Sequence, residues 1–135
     1  MAAGSIPSFL KSYITHSAYH RVTNRPFVST FRGGTFSSAQ WDTDFRAPLI
    51  AAGTTPLFVS NFDDWVGYPT FFVQSYLVVD GAFSWEVVWP GPGTAVASAS
   101  TTVDGDVLNQ VRAQDKLYMM GGSFYRRVAT RPTFP

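Results

Sequence analysis

Thr70–Val79 (TFFVQSYLVV), Asp80-Gly81 and Ala82–Trp89 (AFSWEVVW) form the stretch on which the fold turns. Asp-Gly is among the best two-residue hairpin turns, because both central positions must tolerate positive φ. On its C-terminal side Phe83, Trp85, Val87 and Trp89 alternate with Ala82, Ser84, Glu86 and Val88. That period of two is the mark of a strand with one buried face, so the segment predicts an antiparallel hairpin.

Working outward, Trp89-Pro90-Gly91-Pro92-Gly93 breaks the second arm, since neither proline can extend a ladder from within a sheet. Thr94–Val103 and Val107–Ala113 flank a second Asp-Gly, at Asp104-Gly105, and Lys116–Met120 and Ser123–Thr130 flank Gly121-Gly122. Further upstream, Phe27–Phe31 runs to Gly33-Gly34, and Leu57–Phe62 lies between Pro56 and Asp63-Asp64. Three successive hairpins without a helix of crossover length between them predict an all-β fold. The expected form is an antiparallel β-sandwich of about seven to nine strands, jelly-roll or Greek-key in connection.

Residues 5–18 are the exception. Ser5 can cap a helix, Pro7 suits a first turn, and Phe9, Leu10, Tyr13 and Ile14 recur at helical spacing. An N-terminal helix or arm over 1–25, a sandwich over 26–130 and a docking tail over 131–135 are the expected divisions. The tail's Phe134 stands between prolines.

Charge is thin and uneven. Only 14% of the 135 residues are charged, against about 25% in an ordinary soluble domain. Residues 1–40 sum to +4, 41–108 to −7 and 109–135 to +4. No run of five bases marks a nucleic-acid site, so nucleic acid is not expected as a partner. The absence of cysteine excludes disulfides, thiolate metal sites and cysteine nucleophiles. No window reaches the ~20 apolar residues of a membrane span, and Met1–Tyr19 lacks the pattern of a secretory signal, so intracellular synthesis is expected.

Each candidate for chemistry has a plainer reading. His16 and His20 stand four apart, but the pattern marks no third ligand. Asp42 and Asp44, Asp63-Asp64, and Asp104 and Asp106 fall at expected turns, where aspartate satisfies backbone donors. No nucleophile elbow or phosphate loop occurs. The expectation is therefore a protein without catalytic residues, metal or cofactor.

Four tryptophans, six tyrosines and twelve phenylalanines exceed what a small sandwich core encloses, leaving some rings to make contacts outside it. In composition the chain resembles small virion or phage structural proteins. That resemblance implies a coat, decoration or protrusion subunit made in the host cytoplasm and located in the virion. Its partners would be copies of itself or another shell protein. Phe9, Tyr13, Arg126, Arg127, Arg131 and Phe134 are the expected interface residues. The alternative is a carbohydrate-binding module taking a glycan at Asp63, Asp64, Trp65 and Tyr68, where acids and rings lie together. A small hydrolase using paired carboxylates comes third.

Overall fold

A computed structural model of the chain describes residues 5–68, 70, 72–84 and 102–120. Among them, strands β1 (Arg21–Val22), β2 (Arg25–Val28), β3 (Leu57–Ser60), β4 (Gly81–Ser84) and β5 (Leu117–Met120) form one sheet in sequential order. β1 pairs antiparallel with β2, while β2–β3, β3–β4 and β4–β5 are parallel. Helices fill every parallel crossover: α2 (Ser38–Gln40), a π-helical stretch (Trp41–Arg46) and α3 (Ala47–Ala51) lie between β2 and β3. α4 (Phe72–Ser75) joins β3 to β4, and α5 (Thr102–Ala113) joins β4 to β5. α1 (Ser5–Lys11) packs on this helical layer. The architecture is a curled half-barrel of mixed α/β type, which overturns the antiparallel sandwich.

The reasons for the correction lie in the two Asp-Gly pairs. At Asp80-Gly81 the glycine serves close approach instead of positive φ: a β-carbon on Gly81 would sit 2.4 Å from the Leu117 carbonyl oxygen. Asp80 ends a connection and Gly81 opens β4, so no hairpin forms there. Thr70–Val79, expected as its first arm, contains α4, with the Tyr76 N–H bonded to the Phe72 carbonyl at 2.8 Å. Asp104-Gly105 lies inside α5, where Asp104, Val107 and Val111 are buried at helical spacing. Lys116–Met120 does contain a strand, but β5 pairs in parallel with β4. The remaining expected arms, from Trp85 through Thr101 and beyond Met120, lie outside the described residues.

Register assigns the faces. Val28, Phe58, Ala82 and Tyr118 stand on one side of the sheet. There they meet Trp41, Phe45, Leu49, Phe72, Val73, Val107 and Val111 from the helices. Phe45, Phe58 and Phe72 are fully buried, each worth on the order of 2–3 kcal/mol of transfer free energy. Leu57 and Val59 are also buried, but on the face turned away from that core.

The π-helical stretch has a local cause. Pro48 has no N–H, and its ring crowds the carbonyl four residues back, so the preceding turn widens and the Ala47 N–H bonds to the Asp42 carbonyl. A capping box opens the run: the Gln40 N–H donates to Ser37 Oγ at 3.2 Å, and the Ser37 N–H donates to Gln40 Oε1 at 2.9 Å. Trp41 and Phe45 then point into the core, and Arg46 reaches the amino end of β4.

Candidate active site at the carboxyl ends of the strands

In a parallel sheet with helical crossovers, the loops leaving the carboxyl ends of the strands are free to carry chemistry, and those at the amino ends hold the fold. Here the loops after β2 and β3 are cross-linked into one surface. The Asn61 N–H donates to the Thr30 carbonyl at 3.1 Å, and the Gly33 N–H donates to the Asn61 carbonyl at 2.7 Å. Ser60 Oγ donates to the Thr30 carbonyl at 3.0 Å, and Trp41 Nε1 donates to the Gly33 carbonyl at 2.8 Å. Asn61 is fully buried; its Nδ2 donates to the Phe83 carbonyl in β4, while its Oδ1 has no partner among the described residues.

The Asp63-Asp64 doublet divides into two unlike groups. Asp64 receives the Gly34 N–H on Oδ1 at 2.9 Å and the Thr35 hydroxyl on Oδ2 at 3.1 Å. It ties the β3 loop to the β2 loop. The Asp63 carboxylate, half-buried one residue earlier, makes no hydrogen bond to a described residue. Behind the doublet the Trp65 indole stands edge-on to Tyr76 with ring centroids 5.5 Å apart. It lies so close over Gly67 that a β-carbon there would fall 2.1 Å from the ring. The Tyr76 hydroxyl donates to the Gly34 carbonyl at 3.3 Å. Burial, reinforced by the Asp64 charge, holds its pKa above the ordinary phenol value.

A second group of polar side chains sits between the start of α5 and the sheet. The Tyr118 hydroxyl donates to Asp104 Oδ1 at 2.5 Å, and Ser84 and Tyr68 lie close to the same phenol. Burial first, and the bond to Asp104 second, push the Tyr118 pKa well above the ordinary range. Sequence reading missed this group because it took Asp104 for a turn residue. The signal that could have found it was the helical spacing of Asp104, Val107, Leu108 and Val111.

Of the residues expected to bind sugar, Asp63, Asp64, Trp65 and Tyr68 therefore share one loop at the carboxyl end of β3, with Tyr68 packed on Phe72 at 5.8 Å between ring centroids. Of the expected interface residues, Phe9 and Tyr13 are exposed and pair with ring centroids 5.0 Å apart. Arg126, Arg127, Arg131 and Phe134 lie outside the described residues, as does Glu86, the chain's one glutamate. His16 Nδ1 accepts the Ala18 N–H, and His20 packs on Phe27. No group of three or more metal-ligating side chains gathers among the described residues.

Comparison with known families decides to which family the chain belongs. The model of glycosyl hydrolase family 71 matches residues 2–129. The chain belongs to glycosyl hydrolase family 71. No curated protein and no solved structure matches it. Membership in family 71 points to a glycoside hydrolase and overturns three expectations: a virion subunit, a protein without catalysis and a virion location. Enzymes of family 71 are typically secreted or associated with cell walls. Many of the rings whose surplus suggested a coat protein have a different use here. Trp41, Phe45, Phe58, Phe62, Phe72 and Tyr76 are buried between the sheet and its helices.

Proposed function

We propose that the chain acts on glycosidic bonds at the carboxyl ends of β2–β4, with Asp63 as the carboxyl group that meets the substrate. The observation that carries this reading is the division of labour within the doublet. Asp64 spends both oxygens on Gly34 and Thr35, whereas neither Asp63 oxygen accepts a hydrogen bond from a described residue. Glycoside hydrolysis needs a carboxyl able to exchange a proton with the glycosidic oxygen or with water. A group already saturated with hydrogen bonds serves that purpose poorly.

The surroundings suit a sugar. Trp65 and Tyr68 supply half-buried rings against which the C–H face of a pyranose can pack, and the Thr35 and Asp64 side chains border the same loops. The glycan expected as a partner in the alternative sequence reading is here the substrate. Glycosidases use two carboxyl groups, about 5–5.5 Å apart when configuration is retained and about 6.5–9.5 Å apart when it is inverted. Among the described residues the other acid buried toward this end of the sheet is Asp104, held by Tyr118 in the first turn of α5.

The test is hydrolysis of aryl glycosides and of soluble polysaccharides by the full chain and by Asp63→Asn. The variant keeps the size and shape of the side chain but cannot transfer a proton, so turnover is expected to fall by roughly 10²–10⁴-fold with the unfolding midpoint unchanged. Full activity in Asp63→Asn would remove this residue from the chemistry.

A further inference from the structure

A cavity of about 590 Å³ lies away from the Asp63 loop, at the amino ends of β4 and β5. Its volume is in the range of small-ligand sites, about 300–1,000 Å³. It opens between the α2 and π-helical run on one side and the segments entering β4 and β5 on the other. Amino-end loops in this architecture ordinarily hold the fold, so an open polar groove there calls for an explanation.

The groove carries spare donors and spare acceptors together. Asp42 and Asp115 are exposed, and their carboxylates make no hydrogen bond to a described residue. Lys116 Nζ donates to the Leu77 carbonyl at 3.2 Å and the Val79 carbonyl at 2.7 Å, and its third ammonium hydrogen meets no acceptor among the described residues. Among the described residues Arg46 uses only Nη1, toward the Val78 carbonyl and Asp80, and its other donors meet none of them. Asp80 is already committed to Arg25, Arg46 and the Phe58 N–H. Along the rim, Leu77 is 71% exposed and Ala39 is exposed as well.

A bare cation would use only the acceptors of this surface, and a simple anion only its donors. A neutral polyol uses both, since each hydroxyl can donate to a carboxylate and accept from an ammonium or guanidinium group. The exposed Leu77 and Ala39 give the less polar face of a sugar ring something to cover. We propose that this groove is a second carbohydrate-binding site for a neutral oligosaccharide chain, distinct from the Asp63 loop and not itself hydrolytic. It rests on the family membership of the chain and on the groove's own chemistry, and not on the role of Asp63.

The test uses the full chain carrying Asp63→Asn, titrated by calorimetry and by NMR with neutral tetrasaccharides of glucose, mannose and galactose. Asp42→Ala and Asp115→Gly remove the free acceptors, and glycine suits the positive φ of 52° at Asp115. At least one tetrasaccharide is expected to bind and to perturb the amides of Asp42, Leu77 and Lys116. The double variant is expected to weaken that binding at least tenfold. In the otherwise native chain the same double variant should leave turnover of a small aryl glycoside unchanged. The groove proposal is overturned if no tetrasaccharide binds, if affinity is indifferent to both substitutions, or if a simple diamine binds there and the sugars do not. Loss of turnover in Asp63→Asn alongside any of those results would leave the Asp63 reading standing, and the converse pattern would remove Asp63 alone.

Discussion

Tyr118 of β5 and Asp104 of α5 are joined by a 2.5 Å hydrogen bond in which the phenol donates to the carboxylate, so the strand holds the first turn of the helix that precedes it. The carboxylate also sits where the helix dipole favours negative charge. The phenol is held protonated, its pKa raised by burial and by Asp104. A group whose folded pKa lies above its unfolded value contributes stability that is complete below the unfolded pKa and is lost as pH rises past it. For Tyr118 the loss begins near the ordinary value of 10.0. Urea unfolding between pH 7 and 11 should show the native chain losing stability above about pH 10 more steeply than Tyr118→Phe. Near neutrality the variant should be less stable by about 1–3 kcal/mol, because Asp104 is left buried without its donor. Parallel pH profiles for the two proteins would disprove the linkage.

Asp63 and Asp64 are neighbours in sequence with opposite employment, and kinetics should separate them. Asp64→Asn can offer its amide oxygen to the Gly34 N–H and its amide N–H to the Thr35 hydroxyl, so the two loops stay joined. Asp64→Ala releases them. The expected pattern is near-native kinetics in Asp64→Asn. In Asp64→Ala, KM should rise roughly tenfold with a stability loss of about 1–2 kcal/mol. The fall in kcat should be confined to Asp63→Asn. If Asp64→Asn lost kcat as severely as Asp63→Asn, Asp64 would be a reacting group and the loop-joining account would fail.

Much of the β structure was legible in the sequence, but its direction was not. The apolar runs around Phe27, Leu57 and Leu117 do form β2, β3 and β5. A continuous run such as Leu57–Ser60, buried at every position, fits a parallel strand covered on both faces as well as it fits a sandwich core. Direction is set by the connections, and these were misread for a physical reason. Asp-Gly signals a hairpin only where the glycine supplies positive φ. Gly81 and Gly105 do not: the first lets β4 approach the Leu117 carbonyl, and the second faces open space within α5. At the site, local spacing did place Asp63, Asp64, Trp65 and Tyr68 in one loop. It could not show that Gly34 and Thr35, 30 and 29 residues away, would occupy Asp64 while no described residue occupies Asp63.

The same two glycines predict opposite responses to one substitution. In Gly81→Ala the new methyl would lie 2.4 Å from the Leu117 carbonyl oxygen and 2.8 Å from its β-carbon, so β4 and β5 must separate. Overpacking of this kind costs about 1–3 kcal/mol. A β-carbon on Gly105 would meet no described atom within 4 Å beyond its chain neighbours and its own helix backbone, and its φ is not positive. Gly105→Ala should therefore stabilise the helix by about 0.5–1 kcal/mol. Thermal unfolding of both variants checks the pair. A stable Gly81→Ala would mean that the strands do not approach as closely as described.

Asp80 holds the opposite end of the sheet from the candidate active site. Its Oδ1 pairs with Arg25 at 2.8 Å, and its Oδ2 accepts the Phe58 N–H at 2.9 Å and faces Arg46 at 3.4 Å. Its backbone continues the join, with its N–H on the Phe58 carbonyl and its carbonyl receiving the Leu117 N–H. One carboxylate thus serves two guanidinium groups and the start of a strand. Apart from Asp80, Arg25 holds the Pro56 carbonyl, to which its Nη2 donates at 2.6 Å, while its buried Nε has no partner among the described residues. Removing the carboxylate in Asp80→Ala leaves both arginines half-buried and facing each other's charge, at a cost of about 2–4 kcal/mol. Asp80→Asn keeps an acceptor for Phe58 but not the charge, and should lose about half as much. Because the three side chains are only partly covered, added salt should shrink the deficit of Asp80→Asn relative to the native chain. The kinetic constants should stay native in any variant that remains folded, since these residues lie at the amino ends of the strands. Urea unfolding at low and at about 0.5 M salt, with activity measured in parallel, checks both halves; a folded Asp80→Asn with impaired turnover would refute the separation of stability from chemistry between the two ends of the sheet.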